Sequence, residues 1–138
     1  MHIPDGFLNT KPFLALYGIS FLAIGISVKK TNRKHGEKNV PLMGVMSAFI
    51  FAAQLLDFPI AGGTSGHFMG GVLTAILLGP WTGLLIMTAI LIVQCIIFQD
   101  GGLTALGANI FNMGIIGSVF GYYIYLPITK IIKNINGK

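Results

Sequence analysis

The run FLALYGISFLAIGISV at residues 13–28, followed at once by Lys29, Lys30, Arg33, Lys34 and Lys38, decides the class of this chain. It carries no charge over nearly the length needed to cross a hydrocarbon core, and it ends in a block of positive charge. Working outward, four more apolar runs occupy residues 41–56, 68–79, 81–98 and 110–127 or a little beyond. Across the 138 residues, 54% are hydrophobic and 9% charged, where a soluble domain carries about 25% charged residues. The chain therefore reads as an all-α integral membrane protein of about five transmembrane segments. Residues 1–138 form a single membrane domain, with no soluble domain left over. The third run is short for a span and is expected to be tilted, extended into the preceding loop, or partly re-entrant.

Orientation follows from the lysines and arginines. Five fall between the first and second runs, and Lys130, Lys133 and Lys138 follow the fifth. Basic loops stay on the cytoplasmic side, so the expected topology puts the C-terminus in the cytoplasm and the N-terminus outside. The loops at residues 57–67 and 99–108 then also lie outside. Asp5, Asp57 and Asp100 agree with this, and of the acidic residues only Glu37 falls inside. The net charge of +5 is a topology signal rather than a nucleic-acid footprint, because the lysines sit between apolar segments. Residues 1–8 contain Pro4 and Asp5 and no basic stretch, which does not resemble a cleaved signal peptide. The single cysteine, Cys95, lies in an apolar run and offers no disulfide framework.

The start of the chain is chemically distinctive. Met1 followed by His2 offers the α-amine, the His2 amide and the His2 imidazole, which close fused chelate rings in one plane once the amide is deprotonated. Planar nitrogen ligation suits Ni(II) and Cu(II). One more nitrogen completes the plane, and only His35 and His67 remain. His35 falls in the cytoplasmic basic loop; His67 falls at the outer end of the third run, on the side of His2. The metal ligands expected are therefore Met1, His2 and His67.

Two glycine-rich loops share that outer face: IAGGTSGH at 60–67 and QDGGLT at 99–104. With the N-terminal tail they are expected to form one pocket bearing Thr64, Ser65 and Asp100. Thr64 or Ser65 is also expected to cap the third helix. Asn109 and Asn112 are expected near the outer end, placed to orient a ligating histidine. Gly44, Ala48 and Ala52 form one small-residue stripe and Gly117 and Gly121 another, both read as internal helix packing. Gln54 and Gln94 read as polar links between helices. There is no G-x-x-x-x-G-K-[ST], no H-E-x-x-H and no intramembrane carboxylate pair, so neither an enzyme nor a self-powered pump is expected.

Several motifs carry a resemblance. MHIPDGFL (1–8), PLMGV (41–45), GGTSGH (62–67), LLGPW (77–81) and FQDGGLTALGANIFNMG (98–114) resemble the CbiM/NikM family. These are substrate-capturing components of energy-coupling-factor transporters for cobalt and nickel. The resemblance implies no resident cofactor and a transported Ni2+ or Co2+, held by the N-terminal amine, the amide and imidazole of His2, and His67. It implies partners: a membrane coupling subunit, cytosolic ATPases, and a small accessory membrane subunit or a missing C-terminal half, with no nucleic acid. The location implied is the plasma membrane of a prokaryote. Family members continue through further helices, so the alternative expectation is a truncated or accessory subunit that does not transport by itself.

Overall fold

The computed structural model describes residues 2–35, 39–62 and 64–136. Helix α1 (Thr10–His35) outlasts its apolar run at both ends, because a basic turn adds to a helix without needing lipid around it. Helix α2 (Val40–Gln54) starts with a proline in its first turn, where the missing N–H costs nothing. Helices α3 (Gly71–Leu78) and α4 (Pro80–Ile97) follow. The last helix begins as α5 (Leu106–Asn109), passes without a break into a π-helical stretch (Ile110–Phe120) and continues as α6 (Gly121–Asn136). Among the described residues, three stretches are long and apolar enough to cross a membrane: 10–33, 80–97 and 106–135.

Helix α4 is central, packing against α1, α2, α3 and the π-helical stretch. It is apolar on nearly every side, as a helix surrounded by other helices must be. Leu84, Ile86, Met87, Ile90 and Leu91 form the core with Ile50, Ile110 and Met113. The last helix approaches closely through glycine: a Cβ on Gly71 would lie 2.9 Å from the Met113 carbonyl oxygen, and one on Gly121 would lie 2.6 Å from Val72. The stripe of Gly117 and Gly121 thus faces α3, as expected. The other stripe does not pack inside: Gly44, Ala48 and Ala52 are all exposed on the outward side of α2. Small-residue spacing marks a face on which a helix can approach, but not whether one does.

One further expectation is corrected. The fold is helical, with one addition: a two-stranded antiparallel hairpin of β1 (Phe58–Ile60) and β2 (Thr64–Gly66), pairing Phe58 with Gly66 and Ile60 with Thr64. Thr64 and Ser65 belong to that hairpin and do not cap α3, whose N-cap is Gly70 at φ +73°. The third apolar run yields only an eight-residue helix, about 12 Å long. Residues 67–79 nevertheless make the same passage as α4, which is about 27 Å. They start beside His2 and end where Lys30 lies over the Trp81 ring and Thr31 meets Thr82. Residues 67–70, which form no regular secondary structure, precede α3 in that passage. Of these, His67 and Gly70 are buried, while Phe68 and Met69 are exposed.

Candidate metal centre

The site is built where the hairpin, the end of α4 and the N-terminal tail converge. α4 closes with Gln99 in the left-handed region (φ +55°) and the Asp100 N–H donating to the Gln94 carbonyl at 3.0 Å. That bond spans six residues, one more than a Schellman ending, and the left-handed position is held by glutamine where glycine is usual. It turns the 100–105 loop back over the top of the bundle. From α1, Tyr17 Oη donates to the Leu103 carbonyl and Ser20 Oγ to the Gly107 carbonyl (2.7 Å), bracing that loop.

The tail lies in the seat so formed. The Ile3 N–H donates to Asn109 Oδ1 (2.9 Å), Asn109 Nδ2 donates back to the Ile3 carbonyl (3.1 Å), and the Gly102 N–H donates to the same carbonyl (2.9 Å). Asn109 therefore grips a peptide unit much as a neighbouring strand would, rather than an imidazole. Asp5 Oδ1 accepts from the Thr104 N–H (2.7 Å) and its hydroxyl (2.6 Å). Those bonds hold the Asp5 carboxyl below the ordinary carboxylate range. The seat has no room for side chains: a Cβ on Gly101 would lie 2.9 Å from His2 Cβ, and one on Gly102 would fall on the Asp5 backbone.

With the tail seated, the His2 ring stacks on His67, with centroids 5.2 Å apart and planes 18° from parallel. The His2 side chain is 1% exposed, and His67 is likewise buried. His2 Nδ1 lies 2.9 Å from Asp100 Oδ1 and His67 Nδ1 lies 3.0 Å from the Phe68 carbonyl. Both partners can only accept, so each Nδ1 carries the proton and each Nε2 keeps a lone pair. Both Nε2 atoms are buried with no partner among the described residues. Burial pushes the His2 pKa down, although Asp100 pulls the other way, so the ring is neutral at neutral pH. Neutral imidazole is the metal-binding form.

Of the residues singled out from sequence, the fold brings His2, His67, Asp100 and Asn109 together. Met1 lies outside the described residues, as does the side chain of Thr64. Ser65 is half-buried in β2, opposite Pro59. Asn112 is exposed, three residues beyond Asn109 on the same helix. No group of three His, Cys, Asp or Glu side chains that could hold a metal occurs among the described residues. Sequence reasoning missed Asp5; the Asp5-Gly6 pair, with Gly6 at φ +83°, was the available turn signal. It also missed Ile3, which takes part only through its backbone.

Comparison with known proteins agrees with this architecture. An Archaeoglobus fulgidus protein whose name assigns it provisionally to nickel transport is 48% identical over 130 residues, covering 94% of this chain and 43% of that protein. The cobalt transport protein CbiM of Acetohalobium arabaticum is 38% identical, covering 95% of this chain and 53% of its own length. A crystal structure of a truncated transition metal transporter superposes with a TM-score of 0.88 at 38% identity, covering 95% of this chain and 61% of the other. The chain thus spans about half the length of the curated relatives it matches. Residues 2–137 match the model of the cobalt uptake substrate-specific transmembrane region, CbiM; this multi-pass membrane chain belongs to that family.

Proposed function

We propose that this chain captures Ni2+ or Co2+ on the outer face of the plasma membrane, as the substrate-specific component of an energy-coupling-factor transporter. The observation that carries this reading is the pair of buried, stacked imidazoles whose Nε2 atoms have no protein partner. Leaving a buried acceptor unpaired costs about 1–3 kcal/mol, and two side by side are the signature of a site made for a cation. His67 is already in a ligand's tautomer, its Nδ1–H held by Phe68.

For His2 one rearrangement is required. The fused chelate with the His2 amide closes through Nδ1, the ring nitrogen nearer the backbone, and that nitrogen now faces Asp100. A half-turn of the ring about Cβ–Cγ presents Nδ1 to the ion and brings Nε2–H to the side of Asp100. Asp100 then serves as the carboxylate that orients a ligating histidine. The Met1 amine and the His2 amide complete four nitrogens. A membrane coupling subunit and cytosolic ATPases supply the energy, since no nucleotide-binding motif is present. Because the chain spans about half of its relatives, capture is the activity ascribed to it here.

The test is an N-terminal extension. One residue added before Met1 moves the amine out of the chelate and is expected to abolish high-affinity nickel and cobalt binding. Tight binding by the extended protein would refute the chelate.

A further inference from the structure

Two buried amides below the site form a relay. Gln94, on α4, is 0% exposed and Gln54, at the end of α2, is 2% exposed. Gln94 Nε2 donates to Gln54 Oε1 at 2.9 Å, and Gln54 Nε2 donates to the Met69 carbonyl at 2.9 Å. Met69 follows Phe68, whose carbonyl fixes the His67 ring. On its other side Gln94 accepts, through its main-chain carbonyl, the N–H of Asp100, and Asp100 holds His2. One residue is therefore tied by its side chain to the segment bearing His67 and by its backbone to the loop that holds His2.

Stability does not account for this pair. Amides buried in an apolar bundle are costly unless fully hydrogen-bonded, and Gln94 Oε1 has no partner among the described residues. Apolar side chains of the same shape can replace such a pair at little cost. Gly70 is meanwhile pressed against Ile50, with a would-be Cβ only 2.5 Å from Cγ2, so packing alone keeps the segment against α2. The amides add direction and register to that contact.

We propose that Gln94, acting through Gln54, is a positioning residue for the metal site. It fixes the separation of the His67 segment from the Asp100 loop, and so the planar arrangement that the site offers an ion. This rests on the reading of Met1, His2 and His67 as ligands. Loosening the relay leaves the nitrogens present but frees them from one plane. The loss then falls hardest on Ni2+, which depends on planarity, and least on Zn2+, which has no such preference.

The experiment titrates Ni2+ and Zn2+ separately into the purified full chain, for wild type, Gln94→Met, Gln54→Met, the double variant and Thr88→Val. Thr88 is a buried control on the same helix whose hydroxyl bonds only its own backbone, at Leu84. Each single methionine variant is expected to weaken nickel about tenfold or more and to change the nickel absorption spectrum, with a much smaller change for zinc. The double variant should be no worse than either single one, because both cut the same relay. If Gln94→Met does not fold, Gln54→Met cuts the relay one bond further on and decides the matter. Unchanged nickel affinity and spectrum, equal losses for both ions, or losses that multiply in the double variant would overturn the proposal. A wild-type chain that binds neither nickel nor cobalt would overturn the reading of the site, and this proposal with it.

Discussion

A methyl group at Gly102 should unseat the N-terminal tail. In Gly102→Ala the new carbon would land on the Asp5 backbone nitrogen and lie 2.7 Å from Asp5 Cα. Both are main-chain atoms that cannot swing aside as a side chain does, so residues 3–5 must lift. Lifting breaks the Gly102–Ile3 bond and the two bonds between Ile3 and Asn109; the two bonds from Thr104 to Asp5 are exposed to solvent and are left out of the sum. At about 1 kcal/mol net for each, the seated tail loses about 3 kcal/mol, or about a hundredfold in population. An ion that binds only the seated tail then shows a Kd raised by up to that factor, with the spectrum of the bound state unchanged. Calorimetric titration of nickel into the detergent-purified protein measures it. Gly44→Ala is the control, since Gly44 is exposed and has nothing within 4 Å of its Cβ position. Nickel bound by Gly102→Ala as tightly as by the control would refute the idea that the tail's seat creates the site.

Three other outcomes are expected. His67→Ala should weaken nickel binding by orders of magnitude and His35→Ala should change little; equal effects would sink the assignment. Nickel held by four planar nitrogens should be diamagnetic and yellow to orange, and an octahedral paramagnetic signal would mean oxygen ligands instead. Acid should unseat the tail even without metal. Because burial depresses the folded-state pKa of His2, the unfolded chain takes up its proton first, so this contribution is complete above the ordinary histidine value of about 6.5 and is lost as the pH falls through it. The Asp5 contribution persists to lower pH, because its folded-state pKa is itself depressed. Hydrogen-exchange protection of the Gly102 and Thr104 amides should fall accordingly below pH 7, and protection that grows on acidification would contradict the sign.

The long apolar runs were legible because lipid demands uninterrupted hydrophobicity; α4 follows its run closely, while α1 and the last helix are built on theirs and outlast them at both ends. His67 was separable from His35 because basic loops mark one side of a membrane. The short α3 was visible as a run too brief to span, to be tilted, extended into the preceding loop or partly re-entrant; which of these it adopts is set by packing that residues 68–79 do not display. Hairpin pairing of Phe58 with Gly66 lacks the alternation that marks a strand. The grip of Asn109 on Ile3 and of Thr104 on Asp5 joins positions 106 and 99 residues apart, beyond the reach of any local pattern. Gln54 and Gln94 were visible as polar residues in apolar runs, but their shared target, Met69, was not. The 11-residue π-helical stretch has no sequence signature at all.

The clasp on the tail also orders events in time. His2 is synthesised 98 residues before the Asp100 that holds it, and Ile3 106 before Asn109. Until α4 has been inserted and the loop beyond it has emerged, the first residues have nowhere to settle. A nascent or interrupted chain therefore presents a terminus without its seat. Only a chain assembled through the start of its last helix can seat its own first residues, so a seated terminus doubles as a report that the bundle has closed.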